Sequence, residues 1–209
     1  MEHRPSTEEA IDAVLSLHQA PPKILRKDGS ALTAGEQRSL VLRSENYTLD
    51  NTGLERLDEL LSKHESQSGQ ERFWGALKVR ARHPLVPWFL ISRGKVVYLL
   101  EWILDEMERN PSDEQLILRT VEALKIEHVR YSVQELEEVS SLIGTLMTQS
   151  HFSGGERSLS ARKALETNLT PNYMQTMRAQ RNIYKALGTL REVVQGALYQ
   201  RLEGMLSDI

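Results

Sequence analysis

A helix-start signal keeps returning along this chain: serine or threonine followed three residues later by glutamate or glutamine, the pair that satisfies orphan amides at a helix N-terminus. It stands at Ser6 with Glu9, Thr33 with Glu36, Thr52 with Glu55, Ser68 with Glu71, Ser112 with Gln115 and Ser132 with Glu135. One such pair says little, because these residues are common. Each instance except the Thr33 one, however, precedes an apolar stripe at three- and four-residue spacing. Ile11, Val14 and Leu15 follow the first; Leu54, Leu57, Leu60 and Leu61 the third; Leu136, Val139, Ile143, Leu146 and Met147 the last.

Two more helices meet at a glycine. His83-Pro84 opens a short segment with Leu85, Val86, Phe89 and Leu90 inward, the proline suiting a first turn. Gly94 stops it, and a helix from Lys95 buries Val96, Leu99, Leu100, Ile103 and Met107 before ending at Asn110-Pro111. The helix from Ser112, with Leu116, Ile117, Leu118, Val121 and Leu124, is apolar nearly all round and reads as the central buried one. Alternating strand patterns are missing. The expected fold is therefore all-α, a right-handed bundle or superhelix of short helices with a long C-terminal helix. Residues 1–51, holding Pro21-Pro22, Asp28-Gly29 and Gly35, read as an arm with one or two helices. Residues 52–169 read as the helical bundle, expected to fold without the first 45 residues, and 170–209 as a long helix opened by Thr170-Pro171. Residues 151–160, with Gly154-Gly155, read as a polar loop before a short helix at Ala161, Ala164 and Leu165.

The chemistry of the chain points away from catalysis. There is no cysteine, which removes disulfides, thiolate metal sites and cysteine nucleophiles together and favours a reducing compartment. The histidines at 3, 18, 64, 83, 128 and 151 include no pair three or four residues apart, so no helix face offers a metal site, and no cofactor is expected. His128 reads as a core-edge histidine, and the acidic runs at Asp105-Glu106-Glu108 and Glu135-Glu137-Glu138 as solvated faces. A net charge of −3 supplies no general field for a phosphate backbone. No apolar run approaches a membrane span, and the first residues lack a secretory core.

Two short matches mislead. Phe152-Ser153-Gly154-Gly155-Glu156-Arg157 is similar to the signature motif of ABC-type ATPases, which acts only opposite a nucleotide on a P-loop, and Gly94-Lys95 runs on to Val96 without the upstream glycine. Lys95-Val96-Val97-Tyr98 is similar to a phosphatase-docking motif, but such motifs bind extended and this one sits in an expected helix.

The run Trp88-Phe89-Leu90-Ile91-Ser92-Arg93-Gly94-Lys95-Val96-Val97-Tyr98-Leu99-Leu100-Glu101-Trp102 places an apolar helix, a glycine and a second helix in a distinctive order. Leu118 to Lys125 and Tyr131 to Leu136 continue it with a leucine-rich helix, a linker and a new helix. From about Leu54 to Leu169 this order resembles the N-terminal helical domain of transcription elongation factor TFIIS, the LW or TND domain, in its PNUTS/LUMINIDEPENDENS-like variant. The resemblance implies a nuclear address, with the cytoplasm as alternative, and a role docking segments of transcription or RNA-processing factors in an apolar groove. Ile143, Leu146 and Met147 would line that groove, with Arg162 and Lys163 on its rim; a plain core role for Ile143 and Leu146 carries more weight.

Two other readings compete. Nucleic acid, the less favoured partner, would use Arg72, Lys78, Arg80, Arg82, His83, Arg93 and Lys95 near Trp74, although residues 78, 80 and 82 cannot share one helix face. An architectural role would use the last helix, whose Ile183, Leu187, Leu190, Val194, Leu198, Leu202 and Met205 form one seam. Gly188, Gly196 and Gly204 each cost that helix about 1 kcal/mol relative to alanine, so it must dock, on the bundle, on a second copy or on a partner. The glycines are expected to permit close approach there.

Overall fold

The computed structural model describes residues 5–39, 46–109, 114–165 and 171–207, with the backbone alone at 38–39, 108–109, 129, 150–165, 171–177 and 179–180. Three of the expected helix starts form as reciprocal boxes. At α1 (Thr7–Ser16), Glu9 N–H donates to Ser6 Oγ at 3.2 Å and Ser6 N–H to Glu9 Oε2 at 2.7 Å. Thr33 and Glu36 do the same for α2 (Ala34–Ser39), although no apolar stripe follows, and Ser132 and Glu135 for α8 (Val133–Leu165). Two starts shift by a residue or two. Thr52 opens α3 (Thr52–Ser62) as its first residue, its hydroxyl turned to Asp50 at 3.0 Å, and α4 (Gln67–Lys78) takes Ser66 rather than Ser68 as its cap. Ser112 and the turn at Asn110-Pro111 lie outside the described residues.

Gly94 works as expected. It adopts φ +69°, and its N–H and that of Lys95 return to the carbonyls of Ile91 and Leu90, closing α5 (Leu85–Ser92) and releasing the chain into α6 (Val96–Arg109). Every residue from Leu85 to Ile91 is buried. The helix enclosed on all sides is thus α5 and not α7 (Glu114–Glu127), whose Leu118 faces solvent. A short 3₁₀ turn, His128–Arg130, leads from α7 to α8, and α9 (Pro171–Ser207) completes an all-α bundle with a long last helix.

One element departs from that class. Ile24–Arg26 (β1) and Tyr47–Leu49 (β2) form a small antiparallel pair, with Ile24 opposite Leu49 and Arg26 opposite Tyr47. Asp28-Gly29, expected only to break structure, makes a tight turn: Gly29 N–H donates to Arg26 O at 2.8 Å, and Ser30 N–H to Asp28 Oδ1 at 2.9 Å. Among its described residues the arm therefore holds two helices and this hairpin-like pair.

A single core runs through all three expected parts. Ile11 and Leu15 of α1 pack in the same cluster as Leu54, Phe73, Trp88, Leu124 and Leu190. α1 lies against α3 and α4, α5 against α3, α6 and α7, and α9 against α7 and α8. Arg80 joins α1 to the end of α4 by a forked ion pair with Asp12, one arm at 2.9 Å. The boundary expected near residue 52 is thus one of chain order, not of packing.

The largest local difference lies in α8. Residues 151–160, expected as a loop, are helical and continuous with what precedes them. Two glycines cost a helix about 2 kcal/mol. Extending an existing helix, however, escapes the nucleation penalty, and Glu156, Arg157, Leu159 and Ala161 are good helix formers. Only five residues separate α8 from α9, far too few to return along a 33-residue helix, so the two packed helices run antiparallel. No helix among the described residues is long and apolar enough to cross a membrane.

Candidate protein-interaction surface

On α8, Leu136, Val139, Ile143 and Leu146 form one buried stripe, with Ile143 and Leu146 both 0 % exposed. Met147 is half-buried beside them. The side chains of Arg162 and Lys163 lie outside the described residues, but their backbone belongs to the same unbroken helix. Arg162 lies fifteen positions beyond Met147, about 22 Å at the rise of an α-helix. The structure therefore does not bring the five groove residues together: a loop at 151–160 would have let the chain fold back, and the continuous helix prevents it. A partner segment would have to displace α6 or α9 to reach Ile143 or Leu146.

The seam of α9 is divided. Ile183, Leu187, Leu190 and Val194 are buried against the bundle, together with Ala186 and Ala197, and Leu198 is half-buried. Burying those four large side chains returns about 6–12 kcal/mol, against about 3 kcal/mol for the three glycines, so packing decides that the helix is ordered. Past Leu198 the cover ends. Leu202 is 40 % exposed, Met205 61 %, Tyr199 70 % and Leu206 72 %. Leu202 and Met205 continue the buried seam, while Tyr199 and Leu206 widen it onto an adjacent face. Four large apolar side chains thus stand on the last described turns, interleaved with exposed Arg201 and Glu203. Tyr199 and Leu206 are the residues the seam pattern missed; counting apolar residues off the three-and-four spacing in this segment would have found them.

Three of the basic residues near Trp74 are spent on ion pairs. Arg80 pairs with Asp12, Arg82 with Glu106 and Arg93 with Asp58. His83 turns inward, its Nδ1 accepting from Leu85 N–H at 3.2 Å, and burial lowers its pKa, opposed by the backbone of His18 and Leu15 and helped by the nearby charge of Arg119. Lys78 and Lys95 lie 5.8 and 5.9 Å from the Tyr98 ring, and Lys95 lies 5.6 Å from Trp74. What remains for a polyanion among the described residues is exposed Arg72 and a local pair of lysines around one exposed tyrosine.

A polar cleft of about 360 Å³ separates β2 and α3 from the end of α7. Its charges alternate: Arg93 holds Asp58, and Arg130 Nε lies 3.0 Å from Glu127 Oε2, without hydrogen-bond alignment. Burial raises the Glu127 carboxyl above its usual range, with Arg130 and Arg93 opposing. Beside it the Tyr131 hydroxyl donates to Ile91 O, tying the start of α8 to the end of α5, and burial raises its pKa far above that of a free tyrosine. His128 sits at the core edge with Nδ1 3.0 Å from Lys125 O. Two ion pairs thus line the cleft, which lies between the arm and the bundle. Of the acidic runs, Glu106 and Glu135 serve Arg82 and Ser132, while Asp105, Glu137 and Glu138 are exposed. No family model matches the chain, and comparisons with curated proteins and with solved structures find no match either.

Proposed function

We propose that this chain is a non-catalytic protein-interaction domain that docks a partner through the exposed apolar end of α9, in the setting of a nuclear transcription-elongation, chromatin or RNA-processing regulator. The observation that carries the reading is the division of α9: a seam buried through Val194 continues as exposed Leu202 and Met205, flanked by Tyr199 and Leu206. Leu198, Leu202, Met205 and Leu206 fall at i, i+4, i+7 and i+8, the anchor pattern by which a helix lies in an apolar groove. Covering such side chains returns about 1.5–3 kcal/mol each, which makes their contiguous exposure costly without a partner.

The transcriptional setting rests on the likeness of the helix, glycine and helix order from Trp88 to Trp102, and of the helices after it, to the TFIIS N-terminal domain. That likeness places the binding groove on α8, whereas the present reading places the contact on α9, because Ile143 and Leu146 have no surface left to offer. Nucleic-acid binding is the weaker reading, supported by Arg72, Lys78, Lys95 and Tyr98. A photo-crosslinking amino acid placed at Leu202, and in a second preparation at exposed Glu101 of α6, tests the assignment in native extract. Adducts formed from position 202 and not from 101 support it; equal adducts from both, or none from 202, contradict it.

A further inference from the structure

Beneath the arm, β1 and the prolines before it roof a cavity of about 460 Å³ against α5 and α7, within the range of about 300–1,000 Å³ usual for small-molecule sites. Its floor is apolar and buried, made by Pro22, Leu32 and Trp88. Trp88 is 1 % exposed, and its indole N–H is buried without an acceptor. An indole nitrogen can only donate, and a buried donor left unmatched is uncommon and costly. The charged groups that line the cavity are two lysines and one acid. Lys23 and Lys125 both line the cavity, and neither ammonium is within ion-pair distance of a carboxylate among the described residues. Glu122 is the single acid lining it, and partial burial pushes that carboxyl up toward its neutral form, with Lys125 and Arg119 opposing.

We propose that this cavity binds a small apolar carboxylate, whose hydrocarbon body rests on Pro22, Leu32 and Trp88 and whose oxygens accept from the Trp88 indole N–H and from Lys125. An apolar floor alone would accept any hydrocarbon. The buried donor demands an acceptor, and the unpaired lysines demand a negative one, so a fatty or aryl acid fits where an alcohol fits less well and an amine does not. The site is separate from the exposed end of α9, and neither reading depends on the other.

The test uses the full chain labelled with ¹⁵N, titrated with decanoate, decanol and decylammonium while the indole N–H resonances of Trp74, Trp88 and Trp102 are followed. Trp88→Phe identifies the Trp88 resonance by its loss; if that variant does not fold, Trp74→Phe and Trp102→Phe assign it by elimination. Decanoate is expected to move the Trp88 indole proton downfield while leaving the other two in place. Lys125→Gln is expected to weaken decanoate about tenfold or more, as for a hydrogen bond to a charged group, and to leave decanol unchanged. A Trp88 resonance that decanoate does not move would overturn the proposal. So would decylammonium binding as tightly as decanoate, a Lys125→Gln variant with undiminished affinity, or a peptide with a free C-terminal carboxylate that shifts Trp88 where decanoate does not.

Discussion

Replacing Gly188 and Gly196 by alanine should stabilise this protein, against the sequence-based expectation that they let a neighbour approach. A Cβ built at either position meets nothing within 4 Å among the described residues, so the substitution adds no clash there. Each glycine inside a helix costs about 0.5–1 kcal/mol relative to alanine, so the double variant should gain about 1–2 kcal/mol. For a chain of this size 1 kcal/mol moves the midpoint by about 2–4 °C, which puts the expected rise in Tm at about 2–8 °C. Gly53→Ala supplies the contrast: its Cβ would stand 2.8 Å from Leu85 Cδ1 and 3.2 Å from His18 Cγ, inside a packed corner, and should lower stability by about 1 kcal/mol or more. Thermal unfolding followed by far-ultraviolet circular dichroism, with mass per particle from light scattering, reads all three. A fall in Tm for Gly188→Ala or Gly196→Ala would show that a neighbour does lie against that face of α9 and would refute the packing described.

The two halves of α9 should respond oppositely to truncation: Leu190→Ala, at a fully buried position, should cost about 2–5 kcal/mol in urea unfolding, and Leu202→Ala less than about 0.5 kcal/mol; equal losses would contradict the division of the seam. Tyr131→Phe should cost about 1 kcal/mol through loss of the bond to Ile91 O, a modest figure because Gly94 N–H also donates to that carbonyl, and an unchanged urea midpoint would contradict it. Because burial lowers the folded-state pKa of His83, the unfolded chain binds the extra proton first, so its contribution to stability is complete above about pH 6.5 and is lost as pH falls below that value. The difference in urea midpoint between wild type and His83→Gln should therefore shrink from pH 7.5 to about pH 5.5, and a difference that grows would show the sign to be wrong.

Much of the helical order was legible because it rests on local chemistry. The Ser6 and Ser132 boxes, the stop at Gly94 and the inward faces of α3, α5 and α6 follow from side chains within a turn of one another. What escaped depends on distant residues. β1 and β2 are three residues each and pair across some twenty positions, so neither has a pattern long enough to declare itself. The central place of α5 is set by helices on every side, and the burial of Ile143 and Leu146 by helices that cover α8, which an apolar stripe alone does not distinguish from an open groove. Gly154-Gly155 differs in another way: local propensity points to a break where an established helix carries through.

The central claim, that the exposed end of α9 is a docking surface, is tested most directly by purifying what binds the wild-type chain and a Leu202→Asp, Met205→Asp variant from the same native extract and quantifying it by mass spectrometry. Both substitutions fall on exposed positions, so the variant should keep the wild-type Tm to within about 2 °C. The account predicts at that matched stability the loss of about nine-tenths or more of one specific partner, and equal recovery of every partner by the two chains would contradict it.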